Sequence, residues 1–127
     1  MDVITELAEE VFSILKSGLT ERVYHNAMEV QLRERGIPYE TERIIPIMFK
    51  DHVVGFVRAD LLVNKSIVVE LKSASKIKQE HVDQCGRYMK LLGYPEGIVI
   101  NFPDSGTKIE VTEVALPTAT MLDIQDI

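Results

Sequence analysis

The chain has 127 residues, of which 46% are hydrophobic and 27% are charged, a composition typical of a globular domain. Cys85 is the only cysteine, which excludes an intramolecular disulfide, a cysteine-based zinc site and an iron–sulfur cluster. No apolar run approaches the roughly 20 residues that span a bilayer, and no cationic signal-peptide region opens the chain. We therefore expect one domain over residues 1–127, with no membrane partner, in an intracellular protein that is cytoplasmic or nuclear depending on its source.

The formal net charge of −6 argues at first against a nucleic-acid partner, but this charge is unevenly distributed. Residues 1–21 and residues 101–127 each carry five acidic residues and one lysine. Residues 65–90 carry six basic and three acidic residues, which gives a local charge of 6 − 3, or +3. A basic middle between acidic ends is compatible with phosphate binding.

Hydrophobic periodicity divides the chain into eight elements. Gly18 ends the first helix, Thr20 is the expected N-cap of the second, and Gly36 closes the second. The predicted elements are helices over 3–16 and 20–35, strands ending at 50 and over 53–63 and 67–72, a helix over 77–92, and strands over 96–102 and 108–116. The order ααβββαββ predicts a single α/β domain, with residues 118–127 as an extended tail.

Three charged residues interrupt two strands that are otherwise apolar: Asp60 in one, and Glu70 and Lys72 in the next. A two-residue turn at 64–65 would place Asp60 among apolar side chains, whereas a three-residue loop at 64–66 places it opposite Glu70. The second register gathers the three charged groups on one face. It makes the other face wholly apolar, with Ala59, Leu61, Val63, Ile67, Val69 and Leu71. Because a one-residue slip would move every side chain to the wrong face, we expect this register, or a bulge with the same parity.

Two carboxylates at strand ends can form a divalent-metal site, because neighbouring carboxylates repel one another unless a cation lies between them. Mg²⁺ and Mn²⁺ prefer oxygen ligands, so Asp60, Glu70 and the main-chain carbonyl of Leu71 suit either ion. A bound metal would polarise a phosphoryl oxygen and lower the pKa of a water. Lys72, on the same side, would orient the attacking water or stabilise charge on the phosphate. The residues alone leave an ordinary Glu70–Lys72 ion pair as the alternative.

Two helices carry motifs that extend this pattern. Residues 18–24 have the spacing G-x-x-E-x-x-Y, in which Glu21 and Tyr24 are neighbours on one helical face. Gln84 and Tyr88 form Q-x-x-x-Y on the later helix. The further characteristic segments are 32–36, 58–60, 69–72 and 100–102. By these motifs, taken in their order along the chain, the sequence resembles the GxxExxY proteins of the PD-(D/E)XK nuclease superfamily over residues ~5–102.

This resemblance implies a restriction-endonuclease-like core, with a mixed central sheet flanked by helices, and a metal-dependent phosphodiesterase site. Asp60 and Glu70 would be metal ligands, and Lys72 the catalytic lysine. Glu21 would be an additional acid that reaches the metal directly or through water, and Gln84 would line the site. Ala59 stands where the superfamily name has proline, at a loosely kept position that supplies no ligand.

Candidates for contact with the substrate are Tyr88, Lys76, Lys78 and Arg87. Tyr88 would pack below the site or touch the substrate, and the basic residues would contact a phosphate backbone or form a solvated face. His81 lies on the same side of its helix as Gln84 and approaches the site from there. His25 and His52 show no metal-ligand spacing, and we interpret both as surface residues.

These observations predict a Mg²⁺- or Mn²⁺-dependent nuclease that hydrolyses phosphodiester bonds in nucleic acid, with DNA as the favoured substrate. The alternative is a catalytically silent module of the same fold that acts in nucleic-acid or protein binding or assembly. The net negative charge favours this alternative. So does the short chain, since gripping a duplex would call for a homodimer or a larger protein partner.

Overall fold

A computed structural model describes residues 2–116 of the chain. Its elements are α1 (Asp2–Leu15), α2 (Glu21–Glu34), β1 (Tyr39–Phe49), β2 (His52–Val63), β3 (Ile67–Lys72), α3 (Gln79–Leu92), β4 (Glu96–Asn101) and β5 (Glu110–Ala115). The predicted order ααβββαββ and the α/β class are confirmed. The predicted extended tail over 118–127 lies outside the described residues. No helix within residues 2–116 is long and apolar enough to cross a membrane.

The five strands form one mixed sheet in the order β1-β2-β3-β4-β5. β1, β2 and β3 are joined as antiparallel neighbours, β3 and β4 are parallel, and β4 and β5 are antiparallel. Helix α3 makes the crossover between the parallel strands, as a parallel connection requires. The predicted restriction-endonuclease-like arrangement, a mixed sheet flanked by helices, is thus confirmed.

The sheet is covered on both faces, and each face has its own apolar cluster. Helices α1 and α2 cover one face, where their side chains meet Leu61, Val69 and Ile98. Helix α3 covers the other face, over Leu62 and Val68. Successive strand residues point to opposite faces, so burial on both sides accounts for the nearly continuous apolar runs in β3 and β4.

The hairpin between β2 and β3 has the predicted register. Leu61 pairs with Val69 and Val63 with Ile67, which leaves residues 64–66 as the three-residue loop. Asn64 and Lys65 both have φ of 54° in this loop. In this register the next two opposed residues are Asp60 and Glu70, so the register alone brings the two acids together.

One residue departs from the predicted apolar face. Ala59 packs in the cluster under α3, not with Leu61 on the α1–α2 side. The β1–β2 ladder passes from Thr41–Leu61 to Arg43–Ala59, and Glu42 between them has φ of 52°. This left-handed residue interrupts the regular alternation beside Asp60, so the prediction for Ala59 was wrong.

The outer half of the β1–β2 hairpin extends past the helices and exposes apolar side chains. These are Ile44, Met48, Phe49, Val53, Val54 and Phe56. Pro46 lies in the middle of β1, which is an edge strand of the sheet. The hairpin is therefore the part of the described chain with the least burial of its large apolar residues.

Gly97 on β4 determines how closely α3 approaches the sheet. A Cβ atom at this position would lie 2.8 Å from Cys85 Sγ and would collide with the Met89 side chain. Both sulfur-bearing side chains are completely buried, so neither can move aside freely. The missing side chain of Gly97 thus lets α3 pack directly on β4.

We predict that Gly97→Ala destabilises the protein by about 1–3 kcal/mol, because the added methyl overpacks the contact between α3 and β4. Urea unfolding measures this change. Gly86→Ala is the matched control, since a Cβ there would meet only Val114 Cγ1, at an ordinary 3.8 Å. The control should unfold at the same or a higher urea concentration, because alanine favours the helix. Equal stability of Gly97→Ala and the native chain would contradict this account.

Candidate active site

Asp60 and Glu70 meet beyond the last paired residues of β2 and β3. Asp60 Oδ2 accepts a hydrogen bond from the backbone N–H of Leu71, at 2.8 Å. The Asp60 carboxyl also forms a side-chain hydrogen bond with Glu70. In place of a continued strand ladder, the two carboxyl groups and the β3 backbone therefore form a small polar cluster at the end of the hairpin.

Glu70 is an acid in an apolar interior, with only 2% of its surface exposed. Burial raises its pKa from an ordinary 4.5 to about 10, and the hydrogen bond and charge of Asp60 act in the same direction, against the opposing charge of Lys72. Its Oε1 atom has no hydrogen-bond partner among the described residues. A buried carboxyl oxygen without a partner is costly, so this position suits a bound cation or a retained proton.

The carbonyl of Leu71 points toward the same place. Phe102 N–H donates to the Lys72 carbonyl at 2.9 Å, so Lys72 directs its carbonyl to the β4 side of β3. Successive carbonyls of a strand point to opposite sides. The Leu71 carbonyl is therefore directed to the β2 side, where Asp60 lies.

Glu21, the first residue of α2, lies within electrostatic reach of this cluster. Its pKa is raised, first by burial and then by the charge of Asp60, while Lys72 and His25 lower it. A third carboxyl group thus approaches Asp60 and Lys72. The part of the chain that the structure describes contains no group of three or more His, Cys, Asp or Glu side chains close enough to hold a metal ion by themselves.

The G-x-x-E-x-x-Y motif positions Glu21 through the loop between α1 and α2. The Tyr24 hydroxyl donates to the Lys16 carbonyl at 2.5 Å and accepts from the Leu19 N–H at 3.2 Å. Its ring stacks on Phe102, with centroids 4.5 Å apart, and Gly18 adopts φ of 98°. Tyr24 is therefore a core residue that closes this loop, and it is too buried to contact a substrate.

The α3 residues of the Q-x-x-x-Y motif reach the same cluster from the other face. Lys72 Nζ donates to Gln84 Oε1 at 3.4 Å, and Gln84 also hydrogen-bonds to Tyr88. The pKa of Tyr88 is raised by burial and by the charges of Glu70 and Asp60. Tyr88 is only 3% exposed, so of its two predicted arrangements the geometry fits packing below the site.

A cavity of about 400 Å³ opens beside Lys72. Its lining residues are Lys72, Glu80, His81, Asp83, Gln84 and Arg87. Of the three basic residues predicted to touch the substrate, Arg87 lines this cavity, whereas Lys76 and Lys78 lie exposed outside its lining.

Asn101 has a role that the sequence patterns did not assign. It is completely buried at the end of β4. Its Oδ1 accepts from the Ala74 N–H at 2.9 Å, and its Nδ2 donates to the Ala74 carbonyl at 3.0 Å and to Glu110 Oε1 at 2.9 Å. Asn101 therefore fixes the loop that follows Lys72. A polar residue inside the apolar run 98–102 was the available signal.

The interpretation of His25 as a surface residue was wrong. The ring is 4% exposed, and its Nε2 lies 2.8 Å from Thr41 Oγ1 and 3.0 Å from Glu29 Oε2. This network joins α2 to β1. His52, by contrast, is exposed at the start of β2, as expected.

The donor set fits a hard divalent cation. Mg²⁺ is usually held by one or two carboxylates and keeps several waters, so Asp60, Glu70 and the Leu71 carbonyl supply enough protein oxygens. The partnerless Oε1 of Glu70 is the observation that supports this fit. The charges of Asp60 and Lys72 affect the pKa of Glu21, so Glu21 lies near this donor set and would act from outside it.

Comparison with known proteins gives the class of this fold and site. The sequence profile of the PD-(D/E)XK nuclease superfamily matches residues 1–114. The chain therefore belongs to the PD-(D/E)XK nuclease superfamily. No protein of curated function matches the chain in sequence.

Solved structures with the same fold include SSO0001, with 26% identity and a TM-score of 0.58 over 84% of this chain. The present chain covers 56% of that protein's length. The alkaline exonuclease LHK-Exo from Laribacter hongkongensis shares 14% identity, with a TM-score of 0.54 over 94% of this chain and 81% of its own. Its complex with dAMP aligns with a TM-score of 0.55. At 14% identity the likeness to this exonuclease shows the fold alone.

We predict that Glu70→Gln stabilises the metal-free protein increasingly as the pH rises. Folded Glu70 keeps its proton up to about pH 10, whereas the unfolded chain loses it near 4.5. The native chain therefore loses stability as the pH rises between these values, by up to about 1.4 kcal/mol per pH unit, and glutamine removes this dependence.

Urea unfolding in EDTA at several pH values between 5 and 9 measures the difference. Glu6→Gln, at an exposed position of α1, is the control and should follow the native pH dependence. Parallel curves for Glu70→Gln and the native chain would mean that Glu70 is already ionised in the fold.

Proposed function

We propose that this protein is a metal-dependent nuclease that hydrolyses phosphodiester bonds, with DNA as the favoured substrate, and that it is a GxxExxY member of the superfamily. The observation that carries the proposal is the contact of buried Glu70 with partly buried Asp60, with one carboxyl oxygen of Glu70 unsatisfied. A purely structural ion pair would not leave a buried acid with a raised pKa facing a second acid. Membership of the nuclease superfamily supports the same conclusion.

In this proposal Asp60, Glu70 and the Leu71 carbonyl hold Mg²⁺ or Mn²⁺, and Glu21 acts directly or through a water. Superfamily nucleases generally use divalent metals, and such an ion, when bound, polarises a phosphoryl oxygen and acidifies a water. Glu70 must lose its proton to become a ligand, so metal binding releases a proton at this residue.

Lys72 and Gln84 form the second half of the proposed site. Gln84 Oε1 holds the Lys72 ammonium and so limits the positions that this long side chain samples. From there Lys72 orients the attacking water or stabilises the charge that develops on the phosphate. Tyr88, hydrogen-bonded to Gln84, supports it from below.

The substrate would enter over the cavity beside Lys72, where Arg87 offers a positive charge at the rim. Lys76 and Lys78, exposed between β3 and the body of α3, would meet more distant phosphates. The local charge of +3 over residues 65–90 supports this path in a chain that is otherwise acidic. In this proposal the chain acts as one domain inside the cell. A nucleic-acid substrate is found there, and the single free cysteine, Cys85, is consistent with that setting.

The second candidate is a nuclease-fold module without turnover that binds or assembles with nucleic acid or protein. Two observations favour it: the net charge of −6, and the lack, within residues 2–116, of three ligating side chains already in place. The apolar side chains exposed on the outer hairpin would suit a second copy or a larger protein partner.

We predict that the native protein cleaves labelled oligonucleotides in Mn²⁺ or Mg²⁺, and that Lys72→Met lowers the rate at least about 100-fold. Single-stranded and duplex DNA and RNA should be compared. Lys108→Met, at an exposed position outside the proposed site, should cleave at the native rate. Equal activity of Lys72→Met and the native protein would point to a contaminating nuclease and remove Lys72 from its proposed role.

Calorimetry with Mn²⁺ separates the two candidate functions. We expect the native protein and Lys72→Met to bind Mn²⁺, because the lysine is not a ligand. Asp60→Asn and Glu70→Gln should lose binding by at least about 10-fold, since each removes a charged ligand oxygen. Absence of Mn²⁺ binding to the native chain would favour the module without turnover.

A further inference from the structure

His81 is held in one orientation at the start of α3. The backbone N–H of Lys78 donates to His81 Nδ1 at 3.0 Å. An amide N–H can only donate, so Nδ1 must accept with its lone pair. The neutral ring then carries its proton on Nε2, which makes Nε2–H a hydrogen-bond donor of fixed direction.

The ring borders the cavity beside Lys72, on the stripe of α3 that faces the proposed active site. Gln84 follows His81 by three residues and is therefore its neighbour on the helix. Both line the cavity with Lys72. These three residues are partly buried, whereas the other lining residues, Glu80, Asp83 and Arg87, are exposed. The floor of the cavity is thus lined by Lys72, His81 and Gln84, and the rim by charged side chains of both signs.

Within residues 2–116 the His81 ring is hydrogen-bonded through Nδ1 and not through Nε2. Lys72, whose Nζ donates to Gln84 Oε1, lines the same cavity from β3. Of the two acids on the rim, Glu80 directly precedes His81 in the chain, and Asp83 accepts a hydrogen bond from Gln79 Nε2 at 2.9 Å. Burial and the charge of Lys72 lower the pKa of His81, which is consistent with a neutral donor next to a lysine.

We propose that the cavity is a phosphate-binding subsite in which His81 Nε2–H donates to a non-bridging oxygen of a nucleic-acid phosphate beside Lys72. This inference rests on the proposed nuclease function and adds a substrate-binding residue to it. A phosphodiester oxygen is an acceptor that both an N–H donor and an ammonium can share. His81 therefore places the substrate backbone relative to Lys72.

The competing explanation is that His81 only caps α3 through Nδ1. Two substitutions separate the two nitrogen atoms. Asparagine offers an oxygen near the position of Nδ1 and no group at Nε2, so H81N keeps the cap and loses the donor. Glutamine offers an amide near the position of Nε2, so H81Q keeps the donor and loses the cap.

The experiment compares native protein, H81N and H81Q in urea unfolding and in cleavage of a labelled oligodeoxynucleotide with Mn²⁺. For H81N we expect a native unfolding midpoint and a KM raised about 10-fold, because one hydrogen bond to a charged oxygen is lost. Its kcat should change less than about 3-fold. For H81Q we expect a lower unfolding midpoint with KM close to native.

His52→Asn, on the exposed start of β2, is the control and should match the native protein in both measurements. A native KM for H81N, with cleavage intact, would overturn the role of His81 and leave the nuclease proposal standing. If the native protein neither binds the oligonucleotide, with Ca²⁺ in place of Mn²⁺, nor cleaves it, both proposals fail.

Discussion

The contact between the carboxyl groups of Asp60 and Glu70 is the interaction around which this fold is arranged. A buried acid and a partly buried acid beside it would separate or move to the surface if the chain allowed it. The β2–β3 hairpin prevents this, because its register brings the two residues together, and the Leu71 N–H holds Asp60 in place. Burial, and then the hydrogen bond and charge of Asp60, raise the pKa of Glu70, so this position costs the fold stability at pH values above the ordinary 4.5.

Each surrounding element limits how this pair can relax. Helix α3 lies close to the sheet because Gly97 has no side chain, so Tyr88 and Gln84 cover the pair from one face. The loop before α2 is closed around the Tyr24 hydroxyl, and Ser73 Oγ ties it to the loop after β3 through the Leu19 carbonyl. Asn101 fixes that second loop from β4. These packing and hydrogen-bond contacts together hold the charged groups in positions that would be unfavourable without them.

Local patterns were sufficient for the features that depend on period and parity. The element order follows from the hydrophobic periodicity along the chain. The three-residue loop and the meeting of Asp60 with Glu70 follow from alternation along β2 and β3. Ala59 was misplaced because Glu42, a residue with no turn preference, adopts a left-handed conformation on the neighbouring strand.

Contacts between distant segments were beyond the reach of these patterns. His25 is buried because β1 brings Thr41 onto α2 from sixteen residues away. The position of Asn101 could be noted, but its partner Ala74 lies twenty-seven residues away. The arrangement of polar side chains around the site therefore required the tertiary structure, whereas the pairing of its two central acids did not.

The outer hairpin affects how readily copies of this protein associate by adding strands to the sheet edge. An exposed edge strand with large apolar side chains is a template for adding a strand from another chain. Pro46 has no N–H to offer at the middle of β1, and the left-handed Glu42 breaks the regular edge further along. Fibril-like growth from this edge is therefore obstructed by the backbone, while the side chains of Phe49 and Phe56 remain accessible.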